Sequence, residues 1–135
     1  MSIVFEDLVY RLNAYTSAEG TTFDAVMNDN GVLEVVCSNN DEFSIHMVQT
    51  DTQLLTVTPL FHINEVKPEL MNELNTQLLH LSPAMPLSSA GIQGEQYILF
   101  GSMALNTYFE NIVHELEVQA ENTLELLEAV SPLLN

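Results

Sequence analysis

The sequence predicts an α+β fold: an antiparallel sheet of five or six strands with N-terminal, middle and long C-terminal helices. Three observations carry that reading. Val4, Phe5, Leu8, Leu12 and Tyr15 recur at helical spacing. Across residues 22–61 the apolar period drops to two, and the runs are separated by clusters of Asn, Asp and Gly that favour tight turns. From Phe109 onward a helical stripe returns and persists to Leu127. With 135 residues the chain fits one domain, spanning 1–135.

The first helix is expected over residues 3–16, with Ser2 as N-cap and Glu6 and Asp7 at the positive end of its dipole. Four strands follow, Thr22 to Met27, Val32 to Cys37, Phe43 to Val48 and Leu54 to Phe61. Leu33, Val35 and Cys37 alternate with Val32, Glu34 and Val36, so the sheet has one apolar face for a helix layer and one mixed face. Pro59 cannot donate to a ladder, which puts the fourth strand at an edge or ends it there. Pro68 opens the middle helix, whose buried stripe is Leu70, Met71, Leu74, Leu78 and Leu81, and Pro83 and Pro86 stop it. After Gly91 and Gly94 comes a strand over Gln96 to Phe100, closed by Gly101. Thr107 and Glu110 fit a capping box for the last helix, expected from about residue 107 to 130.

Composition excludes several functions. There are 2 Lys plus Arg against 19 Asp plus Glu, a net charge of −17. Arg11 and Lys67 cannot make the basic patch that phosphate backbones or anionic lipids require. Yet 47% of residues are hydrophobic, enough to bury a core, so the acidity does not indicate disorder. Cys37 is alone and forms no internal disulfide, and the first residues lack a basic signal-peptide region. A cytoplasmic protein is the expectation.

The search for chemistry returns little. His46, His62, His80 and His114 fall on separate elements without metal-ligand spacing, and Asp24 to Gly31 lacks the closing glutamate of a calcium loop. Ser88 and Ser89 lie outside any nucleophile-elbow pattern, and Cys37 reads as a buried structural thiol. No catalytic residue, metal site or cofactor is assigned. The distinctive feature is a row on the last helix, Glu110, His114, Glu117, Glu121, Glu125 and Glu128, with no cation at the pairing distance of three or four residues. Two readings stay open: a docking face for a basic partner segment, or a solvated face of a protein that is acidic throughout.

A second feature is the near absence of charge from Leu74 to Phe109, where Glu95 stands alone. Its prolines, glycines and polar residues exclude a membrane span. Leu78, Leu81, Met85, Leu87, Tyr97 and Leu99 are therefore expected in the core or in a homodimer interface.

The central and C-terminal part resembles a known family. Met85-Pro86-Leu87-Ser88-Ser89, Gly91-Ile92, Tyr97, Leu99-Phe100-Gly101-Ser102 and, in the last helix, Ile112, Glu115, Glu117, Ala120 and Asn122 are similar to the YjfI-like family of small, acidic, uncharacterised bacterial proteins. The resemblance covers roughly residues 60–130 and implies no established activity. In layout alone the chain is similar to the class I chaperones of type III secretion, dimers that hold an extended segment of a secreted partner. It is also similar in layout to acidic mitochondrial matrix proteins. The functional expectation is a non-enzymatic adaptor or chaperone-like module that binds a basic or partly unfolded protein segment. The alternative is a divalent-cation binder or metal-assisted hydrolase using the carboxylates.

Overall fold

The computed structural model describes residues 4–135. Helix α1 (Phe5–Asn13) precedes four strands, β1 (Phe23–Met27), β2 (Leu33–Cys37), β3 (Asn40–Gln49) and β4 (Gln53–His62). Helix α2 (Met71–Leu81) leads into β5 (Ser89–Gln93) and β6 (Gln96–Ala104), and α3 (Phe109–Val130) follows. The strands form one six-stranded sheet in the order β1-β2-β3-β4-β6-β5, antiparallel at every pairing. The predicted class therefore holds, with six strands.

Side-chain alternation decides which face is covered. Leu33, Val35, Ile45, Met47, Leu54 and Met103 point inward and join Leu8 and Leu12 of α1 and Leu116 of α3 in a first core cluster. Tyr97 and Leu99 join Leu74 and Leu78 of α2 and Leu126 and Val130 of α3 in a second. All three helices thus pack on one face. The other face bears Val26, Glu34, His46, Val57 and Phe100, opposite one another across five strands. With 22 residues α3 is about 33 Å long at ~1.5 Å per residue, long enough to reach both clusters.

Several local expectations are corrected. Helix α1 ends at Asn13, because Asn13 turns its amide to β1: it donates to the Ala25 carbonyl at 3.0 Å and accepts from the Ala25 N–H at 2.8 Å. The proposed cap, Ser2, lies outside the described residues; Val4 holds the N-cap position without a side-chain bond. Strand β4 lies inside the sheet, between β3 and β6. Pro59 is accommodated because the β3 pairing stops at Val57 and the β6 register slips just beyond Pro59. The Thr107 capping box does not form. Thr107 donates instead to the Ala104 carbonyl at 2.6 Å, closing the exit from β6, and Tyr108 is the N-cap residue. Gly101 does not close a strand either, since β6 runs on to Ala104.

Cys37 is buried, as expected, but at the last position of β2 rather than mid-strand, its thiol aimed at the Leu116 carbonyl oxygen at 3.8 Å. Burial, reinforced by the nearby Glu117 carboxylate, pushes the thiol up to about 12 from 9.0. The folded state therefore holds this proton after the unfolded chain has lost it, and the stability tied to it falls as pH rises from about 9 towards about 12. Iodoacetamide at pH 8 is expected to leave Cys37 unmodified in the native protein and to alkylate it in denaturant, as read by intact mass. Equal labelling in both conditions would contradict the buried placement.

Candidate functional site

The acidic row does not survive intact. Glu110, His114, Glu121, Glu125 and Glu128 are exposed along one side of α3. Glu117 is only 8% exposed and is removed from the row as an accessible docking residue. The β2–β3 turn leans on the helix there, with the Asn39 and Asn40 amides donating to the Glu117 and Ala120 carbonyls at 3.0 and 3.1 Å. Neither cation neutralises what remains. Arg11 lies 4.0 Å above the Phe109 ring, and Lys67 donates to the Pro132 carbonyl at 3.1 Å. Among the described residues the basic side chains near carboxylates are His46, 3.9 Å from Glu34, and His62, 3.1 Å from Glu95.

The charge-poor stretch divides too. Leu78, Tyr97 and Leu99 are buried inside the subunit, so the structure corrects their placement in an interface between copies. The Tyr97 ring stacks on Phe61 at 5.0 Å, and its hydroxyl donates to Asn75 at 2.6 Å. Leu81 and Met85 are half-buried against the same cluster. Leu87 remains outside, 47% exposed. The periodicity reading missed two apolar side chains that stand clear of the body, Leu79 of α2 at 74% and Ile92 of β5 at 54% exposure. They border one recess of about 350 Å³ whose lining carries no charged residue.

Between the two core clusters runs a buried polar seam that sequence reasoning did not find. The Gln119 amide on α3 accepts from Thr56 Oγ1 at 2.7 Å and donates to Thr58 Oγ1 at 2.9 Å. One turn on, Asn122 Nδ2 donates to the Pro86 carbonyl at 2.8 Å and to Ser88 Oγ at 2.7 Å. Leu87, between those two anchors, has φ 67°, the left-handed region that leucine rarely enters. Gly101 lies directly below: an alanine Cβ there would sit 2.9 Å from the Leu87 carbonyl oxygen. The Pro-Leu-Ser and Phe-Gly elements of the sequence thus meet at one place, under α3.

The carboxylates do not converge. Among the described residues no three of His, Cys, Asp and Glu lie close enough together to hold a metal ion, and no helix is long and apolar enough to cross a membrane. The surface therefore combines an unneutralised acidic helix, one recess without charge and a rigid seam.

The fold is a secretion-chaperone-like α+β fold. One chain of the heterodimeric ExoU–SpcU complex from the type III secretion system of Pseudomonas aeruginosa superposes with a TM-score of 0.56 at 14% identity, covering 98% of both chains. A chain of the ExsC–ExsE complex gives 0.54 at 12% identity, covering 99% of this chain and 97% of that one. At such identities the likeness concerns the fold alone. By sequence, the chain belongs to the DUF2170 family, described as an uncharacterized protein conserved in bacteria, whose family model matches residues 5–134. It is 31% identical over 107 residues to the uncharacterized protein YjfI of Escherichia coli K12 and, equally, to that of Escherichia coli O157:H7, covering 76% of this chain and 79% of each relative.

Proposed function

We propose that this protein is a non-enzymatic, chaperone-like adaptor, cytoplasmic, which holds a basic or partly unfolded segment of another protein. One observation carries the reading: α3 presents Glu110, Glu121, Glu125 and Glu128 to solvent, and neither Arg11 nor Lys67 forms an ion pair with them. Glu125 and Glu128 also face the negative end of the helix dipole, so the row costs stability that a bound cation would recover. The solved complexes that share the fold each pair the related chain with a protein partner, which supports the same reading. A homodimer belongs to the proposal, joined over the α2–β5 edge, where two chains of −17 can approach without bringing carboxylates together. Leu79 and Ile92 would be its contacts, in place of Leu78, Tyr97 and Leu99.

The test uses two dye-labelled, capped hexapeptides, one alternating valine with lysine and one alternating valine with glutamate, followed by fluorescence anisotropy. The lysine peptide is expected to bind and the glutamate peptide to stay free. Equal binding of both, or of neither, would overturn the proposal.

A further inference from the structure

We propose that the free edge of β6 from Gly101 to Ala104 takes up a basic peptide as an added strand, seated between Leu87 and Glu115 of α3. The inference rests on the protein-binding reading above and gives it a place and a ligand chemistry.

The edge is open because of how the chain is bent. On one side β4 accompanies β6 as far as Ala104, opposite Gln53. On the other side β5 begins only at Ser89, opposite Phe100. Gly101, Ser102, Met103 and Ala104 therefore have a neighbour on one side only. Sheet edges are usually blunted by charge, proline or a bulge, and this stretch contains none of them. Its vacancy is also held in place. The Leu87 backbone, at φ 67°, swings the chain out of line with β5, and Asn122 fixes the residues on either side of that bend. A looser connection would let residues 86–88 fold down and complete the ladder.

The space beside the edge has the shape and charge for an occupant. Two grooves, of about 340 and 350 Å³, flank Leu87, and both reach Ser102 and Glu115. Four edge residues at ~3.3 Å each span about 13 Å, room for four to six residues of an extended ligand. Alternate side chains of such a strand would point towards α3 and meet Glu115. That carboxylate is half-buried and forms no ion pair with Lys or Arg among the described residues. Burial holds its pKa above the usual carboxylate range, with the neighbouring His114 opposing the shift. A lysine or arginine on the ligand would supply the missing charge in a partly desolvated setting, where such pairs are strongest. The intervening side chains would lie beside Phe100 on the open face of the sheet, where apolar residues fit.

The probe is the valine–lysine hexapeptide, compared with two isomers N-methylated at every valine or at every lysine. Residues of one parity direct their N–H groups to one edge, so one isomer is expected to bind like the parent. The other should lose at least about tenfold in affinity with its ladder bonds. In the complex, amide exchange at Ser102 and Ala104, whose N–H groups face the free edge, should slow. Glu115→Gln should weaken the parent peptide about tenfold, whereas the equally charge-reducing Asp51→Asn should not. Equal binding of both isomers, slowed exchange on β5 instead of β6, or no difference between the two variants would overturn the edge assignment while leaving capture of basic segments intact. Protection of Ser102 and Ala104 without peptide, rising with protein concentration, would assign the edge to a second copy instead. Failure of the parent peptide to bind at all would overturn the broader reading.

Discussion

Gly101→Ala is expected to destabilise the protein by about 1–3 kcal/mol, and Gly101→Val by more, because nothing around the new Cβ can yield cheaply. That atom would sit 2.9 Å from the Leu87 carbonyl oxygen, 3.1 Å from Thr56 Oγ1 and 3.4 Å from Gln119 Oε1. The first of these is backbone, held by Asn122 on either side, and the other two belong to one buried hydrogen-bonded pair. For a chain of this size the alanine cost corresponds to a fall in melting temperature of roughly 4–12 °C. Gly91→Ala provides the contrast. Its Cβ would meet the Phe100 ring edge at 3.0 Å, but that ring is partly exposed and free to turn, so a much smaller change is expected. Equal melting temperatures for the two variants would show that the Leu87 crossing is not fixed.

Asn122→Leu should cost about 2–5 kcal/mol by chemical denaturation, although leucine keeps the γ-branched outline of asparagine. The buried amide satisfies the Ser88 hydroxyl and the part-buried Pro86 carbonyl together; a buried group left without a partner costs about 1–3 kcal/mol, and the larger leucine adds strain. Adding Ser88→Ala removes one of the two orphans. The double variant should therefore be more stable than the sum of the single changes predicts, by roughly 1 kcal/mol. Strict additivity would indicate that water replaces the amide and that the seam is not dry. Amide exchange at Ser88 and Ser89 should quicken in Asn122→Leu, since the bend that keeps the β6 edge clear has lost its anchor.

How much of this was legible in the sequence varied with the range of the interaction involved. The first four strands announced themselves through alternation, because side-chain period two is a local property. Strand β5 did not, since Ser89, Ala90 and Gly91 carry no apolar signal; Gly91 is there because the Phe100 ring lies against it from β6. Pro59 misled because proline's constraint is on the ladder beside it, and the place where β3 stops pairing is a matter of topology. Thr107 and Glu110 had the spacing of a capping box, yet the Ala104 carbonyl was nearer to the hydroxyl.

The candidate site was half legible. The absence of cations from α3 is a sequence fact, but the burial of Glu117 depends on a turn about 78 residues away along the chain. The seam left a trace that periodicity alone offered. Leu116, Gln119, Thr123 and Leu126 follow at helical steps on one face, and two polar residues inside an apolar stripe are how a buried hydrogen-bonded pair looks before folding. What no local pattern discloses is that Pro-Leu-Ser and Phe-Gly lie where one backbone passes over another.

Salt dependence of association tests the central claim most directly. Attraction between an unneutralised acidic surface and a cationic segment should steer encounter, so the association rate of the valine–lysine hexapeptide should fall at least about tenfold between about 20 and 300 mM sodium chloride. Its dissociation rate should change far less. An association rate indifferent to salt would mean that the carboxylates of α3 merely face water, and the proposed role in holding basic protein segments would be lost.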